Sequence, residues 1–251
     1  VDRCDVAIVG GGPAGSACAW KLRHAGLDVV VVDKAVFPRD KVCAGWITPQ
    51  VLEELRINPD DYRPGRTFQP ITGFRVAVVG REASVDVQYE RPISFGIRRC
   101  EFDDYLLRRS GARLMLGTPA TAIRREGPRW VVNEAVSAPV LVGSGGHFCP
   151  VARMLNGTPD RGSIVAAQEA EVAVEAAPAS LVEPERPELY FSPDLTGYGW
   201  CFRKGEYVNV GFGRIGPRSV PAATTEFVRS SVQPAGWRPR HRAGGGAATR
   251  T

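Results

Sequence analysis

The chain has 251 residues, 43% hydrophobic and 24% charged, the make-up of an ordinary globular protein large enough to bury a real core. Its net charge of +5 sits mostly on Arg238, Arg240, Arg242 and Arg250, in a tail without acids, so the body has no basic stripe to suggest nucleic-acid binding. No apolar stretch approaches the ~20 residues of a membrane span, and six cysteines without a Cys-x-x-Cys pair, with three dispersed histidines, argue against a disulfide scaffold or a metal centre and for a reduced, cytoplasmic protein.

The first element is an apolar strand over residues 5–9, running into Gly10-Gly-Gly-Pro-Ala-Gly15 and a helix over 13–25. Gly10 permits a tight turn, Gly12 lets backbone approach a pyrophosphate, and Gly15 allows helix to pack on strand. Pro13 and Ala14 open the helix, whose N-terminus offers unpaired N–H groups to an anion. A second strand over 28–33 ends in Asp33, 23 residues past Gly10, where a carboxylate would bond a ribose hydroxyl. This is a dinucleotide fingerprint.

Residues 37–46 read as a loop and 49–55 as a short helix. A proline-rich stretch follows, then strands over 71–79 and 83–89 around Gly80, a hairpin. The pattern returns to helix over 101–110, followed by strands over 113–116, 121–125, 130–133 and 140–142, the last entering Gly143-Ser-Gly-Gly146. Residues 165–175 alternate as a half-exposed antiparallel strand, with Glu169, Glu171 and Glu175 on the outer face. Strands over 188–191, 199–202 and 207–212 continue it, a helix is predicted over 224–231, and 233–251 lacks any apolar period. The fold class is therefore mixed α/β and α+β, a nucleotide domain with an antiparallel sheet interleaved.

Three further segments carry a family resemblance. Pro38-Arg-Asp-Lys-Val-Cys-Ala-Gly45 is similar to a Pro…Lys-x-Cys-Gly loop, and Arg99-Cys-Glu-Phe-Asp103 with Leu106-Leu107 to an Arg-x-x-Phe-Asp helix start. Tyr198-Gly-Trp-Cys-Phe-Arg-Lys204 with Gly211-Phe-Gly213 is similar to a Tyr-x-Trp-x-Phe-Pro-Lys…Gly-x-Gly signature. With the fingerprint, these resemble the geranylgeranyl reductase family of flavoproteins, of p-hydroxybenzoate hydroxylase-like fold, over roughly residues 5–214. Arg203 replaces the signature's proline, Ala44 a common glycine, and Gly145 an aspartate. The family's later Gly-Asp flavin motif has no counterpart after Gly213, so relative to the family the chain reads as C-terminally truncated.

The resemblance implies a discontinuous Rossmann-like FAD-binding domain (1–69 and 97–160), an antiparallel β substrate domain (70–96 and 161–232) and a disordered or artefactual tail (233–251). It implies that Gly10, Gly12, Pro13, Ala14, Gly15, Asp33 and Lys34 hold the ADP half of FAD. It places Cys43, Ala44 and Gly45 beside the flavin ring, with Arg99 and Ala120 completing the cofactor's surroundings. The implied reaction is reduction of a prenyl carbon–carbon double bond, by hydride from the flavin and a proton from an acid. The substrate would be a prenyl lipid or another apolar molecule. The electron donor would be NAD(P)H or a small redox protein, since no second glycine fingerprint is present, and the protein would be cytoplasmic, free or against a membrane surface. A monooxygenase or halogenase of the same fold, or a non-catalytic fragment, are the alternatives.

Individual residues leave choices open. Cys43 is either the proton donor or a small apolar wall of the pocket. Arg99 either contacts phosphate or ribose, or pairs with Asp103 one helical turn on. Tyr198, Trp200 and Phe202 share a strand face as a tunnel wall for substrate or as ordinary sheet core, and Lys204 either meets a phosphate head group or is solvated.

Overall fold

Val6–Val9 and Val29–Val32 form neighbouring parallel strands in which every residue is buried, the pattern of a sheet covered on both faces. In this computed structural model, which describes residues 1–157, 165–174 and 182–215 with Thr224 and Phe227, they centre a parallel sheet. Its four strands run Val140–Gly143, Val6–Val9, Val29–Val32 and Arg113–Met115. Val6, Ile8, Val29 and Val31 pack with Ala19 and Leu107 of the helices Pro13–His24 and Arg99–Arg109. Ala7, Val30 and Val32 point the other way, against Val136 and Ala138. Those belong to a second four-stranded sheet, ordered Asp2–Arg3, Val136–Ala138, Arg129–Val132 and Ile123–Glu126. Val136–Ala138 was not foreseen, because three residues after a turn carry too little alternation to read.

Contacts divide the chain into two units: Val1–Lys41 with the described residues of Arg99–Asp160, and Val42–Arg98 with the described residues of Arg161–Thr251. Residues 42–69, expected with the nucleotide domain, group with the second unit. The reason is a three-stranded sheet in which Trp46–Ile47 and Gln69–Ile71 both pair antiparallel with Ser94–Gly96.

The second unit's main sheet has six strands, ordered Val165–Ala173, Tyr207–Ile215, Gly197–Lys204, Glu188–Phe191, Gly73–Val78 and Ser84–Gln88. All its pairs are antiparallel except Glu188–Phe191 with Gly73–Val78. One face buries Cys201, Val208, Val210 and Phe212 around Phe227. The other carries Tyr198, Trp200, Phe202 and Lys204, aligned by register with Gly213, Gly211, Asn209 and Tyr207. The helix expected over 224–231, apart from Thr224 and Phe227, and the tail 233–251 lie outside the described residues. Among the described residues no helix is long and apolar enough to cross a membrane.

Candidate functional site

The glycine turn of the first unit is built from backbone. Gly10 takes φ +112°, and a Cβ there would come within 2.5 Å of the Ser144 carbonyl carbon, so only glycine fits. A Cβ on Gly15 would overlap the Gly10 carbonyl oxygen, which is how closely the helix lies on the turn. Ser144 Oγ donates to that same carbonyl at 2.8 Å, so Gly143-Ser-Gly-Gly146 closes the turn from behind, without a carboxylate.

Gly12 caps the helix with no side chain on its N–H groups, Pro13 opens it, and its first turn holds no acid. That leaves a helix N-terminus with free donors and a positive dipole end. Asp33, at the end of Val29–Val32, accepts the Gly11 N–H at 2.6 Å and the Ala35 N–H at 2.8 Å. Lys34 is exposed beside it, and Ala120 is half-buried.

Arg99 grips Asp103 with two hydrogen bonds, Nε to Oδ1 at 2.7 Å and Nη2 to Oδ2 at 2.9 Å. The helical ion pair with Asp103 is therefore a contact that Arg99 does make. Asp103 is fully buried and is also met by Arg39 Nη2 at 3.0 Å. Arg39 Nη1 is buried without a hydrogen-bond partner, and Nη2 lies within 3.6 Å of where a Gly12 Cβ would stand. An unpaired guanidinium nitrogen beside an uncapped helix start is the arrangement that a pyrophosphate completes. Arg39 was passed over in the sequence because nothing local marks it. The fully buried Asp103 is what draws it in.

The second unit holds an apolar cavity of about 170 Å³, lined among others by Cys43, Ala44, Trp46, Leu189, Tyr198 and Trp200. Of the residues expected on a substrate wall, Tyr198 and Trp200 line it, 46% and 7% exposed respectively. Phe202 and Lys204 do not. Phe202 is fully buried with its ring 5.5 Å from that of Trp46, which in turn stacks on Phe74. Gly211 makes room for Trp200: a Cβ there would overlap the indole, and this explains the first glycine of Gly211-Phe-Gly213. The indole Nε1–H donates to buried Asn209 Oδ1 at 2.7 Å.

Lys204 is neither solvated nor placed to meet a head group; its side chain is fully buried. Its ammonium donates to the Ala44 carbonyl at 2.9 Å and pairs with Glu171. Gly45, at φ +69°, passes so close that a Cβ would stand 2.9 Å from Lys204 Nζ. From the opposite strand, Glu169 Oε1 accepts the Cys43 N–H at 2.5 Å. The Cys43 loop is thus pinned to the sheet at two consecutive residues. Arg98 closes the cluster, with Nε on Glu171 at 2.9 Å and its guanidinium 3.8 Å above the Tyr207 ring.

The two glutamates titrate in opposite directions. Burial pushes the Glu169 carboxyl above the ordinary carboxylate range, only partly offset by the Cys43 N–H and Lys204. Burial acts on Glu171 too, but Lys204 and Arg98 outweigh it and hold that carboxyl low. Neither glutamate stood out in the sequence, where their strand alternates like a half-exposed one. Glu169 is half-buried and Glu171 stays partly exposed, and only the register against Asn209 and Gly211, with the position of Lys204, shows what this face meets.

A βαβ glycine turn in one unit and an aromatic-walled antiparallel sheet in the other define a dinucleotide-binding protein with a second, antiparallel β unit. Residues 5–99 match the family described as FAD dependent oxidoreductase. Menaquinone reductase of Mycobacterium tuberculosis is 33% identical over 242 residues, covering 88% of this chain and 57% of its own length. Geranylgeranyl diphosphate reductase of Rhodobacter capsulatus is 30% identical, over 84% of this chain and 54% of its own. The solved structure of a geranylgeranyl bacteriochlorophyll reductase-like protein from Thermoplasma acidophilum superposes with a TM-score of 0.73 at 21% identity, over 92% of this chain and 62% of that one. The chain belongs to the FAD-dependent oxidoreductases, as its resemblance to the geranylgeranyl reductases implied, and the cofactor is FAD. It spans little more than half the length of the two sequence relatives.

Proposed function

We propose that the protein reduces a carbon–carbon double bond in an isoprenoid chain, with the first unit as FAD-binding domain and the second as substrate domain. The observation that carries this reading is the cavity: apolar, walled by Trp46, Leu189, Tyr198 and Trp200, and lined also by Glu169. An apolar cavity of ~150 Å³ accepts one benzene. At about 170 Å³ this one has room for a single isoprene unit and would dock a chain one unit at a time. The relatives named as reductases of a menaquinone and of geranylgeranyl diphosphate support the same substrate class.

FAD fits the first unit. The N–H groups of Ala14 and Gly15, in the turn that Pro13 opens, and the unpaired Arg39 Nη1 would take its pyrophosphate, while Asp33 would take the ribose with a carboxylate already oriented by Gly11 and Ala35. Gly10 keeps the turn tight enough for that approach, with Lys34, Arg99 and Ala120 at its margins. When bound and reduced, FAD supplies the hydride. The chain's own task is to hold the alkene in a dry apolar site and to bring a proton to it. Cys43, Ala44 and Gly45 bound that site, with Tyr198 and Trp200 as its walls and Phe202 and Lys204 as the support behind them. The electron donor in this reading is NAD(P)H or a small redox protein.

The test is anaerobic. Protein reconstituted with FAD and photoreduced is mixed with a polyprenyl substrate. Flavin reoxidation without oxygen, with a product two hydrogens heavier, is the expected result. Reoxidation only on admitting oxygen, with an oxygenated product, assigns the protein to monooxygenase chemistry instead, and failure to take up FAD removes the enzyme reading.

A further inference from the structure

We propose that Glu169 is the proton donor of the cavity, delivering its carboxyl proton to one carbon of the alkene held against Trp200. The inference rests on the alkene-reductase reading above and goes beyond it by naming the acid.

Three observations on geometry lead to it. Glu169 lines the cavity, whereas Glu171, two residues along the same face, is drawn away into the pair with Lys204 and Arg98. One carboxyl oxygen, Oε1, is fixed by the Cys43 N–H, so the group is oriented on a held backbone. The rest of the lining is apolar side chains, the Trp46 and Trp200 indoles, the Tyr198 phenol and the Cys43 thiol, so among the described residues Glu169 is the only carboxyl of the lining.

The charged groups around it are accounted for on each neighbouring element. Glu171 is on its own strand, Lys204 at the end and Tyr198 near the start of the strand Gly197–Lys204, Arg98 beyond Glu171, and Cys43 on the loop that Lys204 holds. Lys204 is spent on the Ala44 carbonyl and Glu171, so Glu169 faces an ammonium already matched by another carboxylate. The upward shift of its carboxyl by burial agrees with a group that keeps its proton until substrate takes it.

The step balances as follows. The π bond breaks; one carbon gains the proton as the Glu169 O–H bond breaks, and the other gains hydride from reduced flavin, which is oxidised by two electrons. Glu169 is left as carboxylate and regains a proton from solvent. Cys43 then shapes the pocket and, through its backbone N–H, positions Glu169.

The test compares Glu169→Gln, Glu169→Asp and Cys43→Ala. In single-turnover mixing of reduced protein with a polyprenyl substrate, Glu169→Gln is expected to slow flavin reoxidation by about 100-fold or more. Glu169→Asp should restore part of the rate, and Cys43→Ala should stay within about tenfold. Substrate binding to oxidised protein, read by tryptophan emission, should change less than threefold in Glu169→Gln, as a purely structural role would not allow. A second readout needs no flavin: an infrared carboxyl band titrating above the ordinary glutamate range, absent from Glu169→Gln. Near wild-type turnover in Glu169→Gln, a loss of binding that matches the loss of rate, or a carboxyl band titrating at or below the ordinary range overturns the assignment. Wild-type protein that saturates no prenyl alkene overturns the reading beneath it, and that outcome is visible before any variant is made.

Discussion

The turn from Val9 into the helix Pro13–His24 and the loop from Val42 to Gly45 both offer backbone to a ligand, yet they are secured over very different distances. Gly11 is held by Asp33, 22 residues away and one strand along the same βαβ unit. Cys43 and Ala44 are held by Glu169 and Lys204, 126 and 160 residues away. The first arrangement is local, resting on one carboxylate and on Gly10 and Gly15, which leave no room for a Cβ. The second is a charge cluster, in which a lysine without solvent is balanced by partly exposed glutamates and an arginine. Local geometry can be written into a short motif. A charge cluster gathered from several strands cannot, and it also responds differently to substitution.

The largest effect is expected at Lys204. Lys204→Met removes the ammonium, leaves the Ala44 carbonyl unpaired and leaves Glu171 with Arg98 alone, so a loss of about 3–5 kcal/mol is expected, measured as the urea midpoint at constant slope. A loss below ~1 kcal/mol, the range of an exposed ion pair, would mean that the loop is held by something other than this cluster.

Two glycine substitutions sharpen the contrast at intermediate size. Gly15→Ala and Gly211→Ala each force a methyl group into occupied space, against the Gly10 carbonyl and the Trp200 indole respectively. Each is expected to cost roughly 1–3 kcal/mol, the usual penalty of overpacking. Their readouts should part. Gly15→Ala should lose FAD on gel filtration while its tryptophan emission stays close to wild type. Gly211→Ala should keep FAD and shift that emission, because it moves an indole that lines the cavity. Equal loss of FAD in both would show that the two sites do not act independently.

That division also marks what could be read in the sequence. The strands Val6–Val9 and Val29–Val32, the helix between them, Gly10, Gly15 and Asp33 were all legible, since each follows from spacing within one βαβ unit. The Tyr198-x-Trp200 pattern told which face of its strand mattered. It did not tell where along that face the cavity ends: of the choices the sequence leaves, Phe202 takes the sheet core behind the wall, and Lys204, expected at a head group or in solvent, is buried. Glu169 and Glu171 read as the outer side of a half-exposed strand, and the strand is half-exposed, but its pattern does not announce the loop that meets them. Alternation fixes that two faces differ but not which is covered, and the covering loop comes from a remote stretch of chain. Arg39 escaped for the same reason, being placed by Asp103 from another helix.

The smallest expected effect is the most discriminating, because it sets two glutamates of one strand against each other. Lys204 and Arg98 hold the Glu171 carboxyl below its unfolded value, so its contribution is present above the ordinary carboxylate range and is lost as pH falls through the folded value. Glu169 runs the other way. Burial raises its folded value, so its contribution is full below the unfolded value and is lost as pH rises through the folded one. Urea unfolding from about pH 3 to pH 7 should therefore show the deficit of Glu171→Gln relative to wild type growing with pH. Glu169→Gln, which mimics the protonated acid, should instead gain on wild type as pH rises. If both variants followed wild type at a constant offset, the two carboxyl groups would share one environment, and neither a stabilising ion pair at Glu171 nor a proton held at Glu169 would survive.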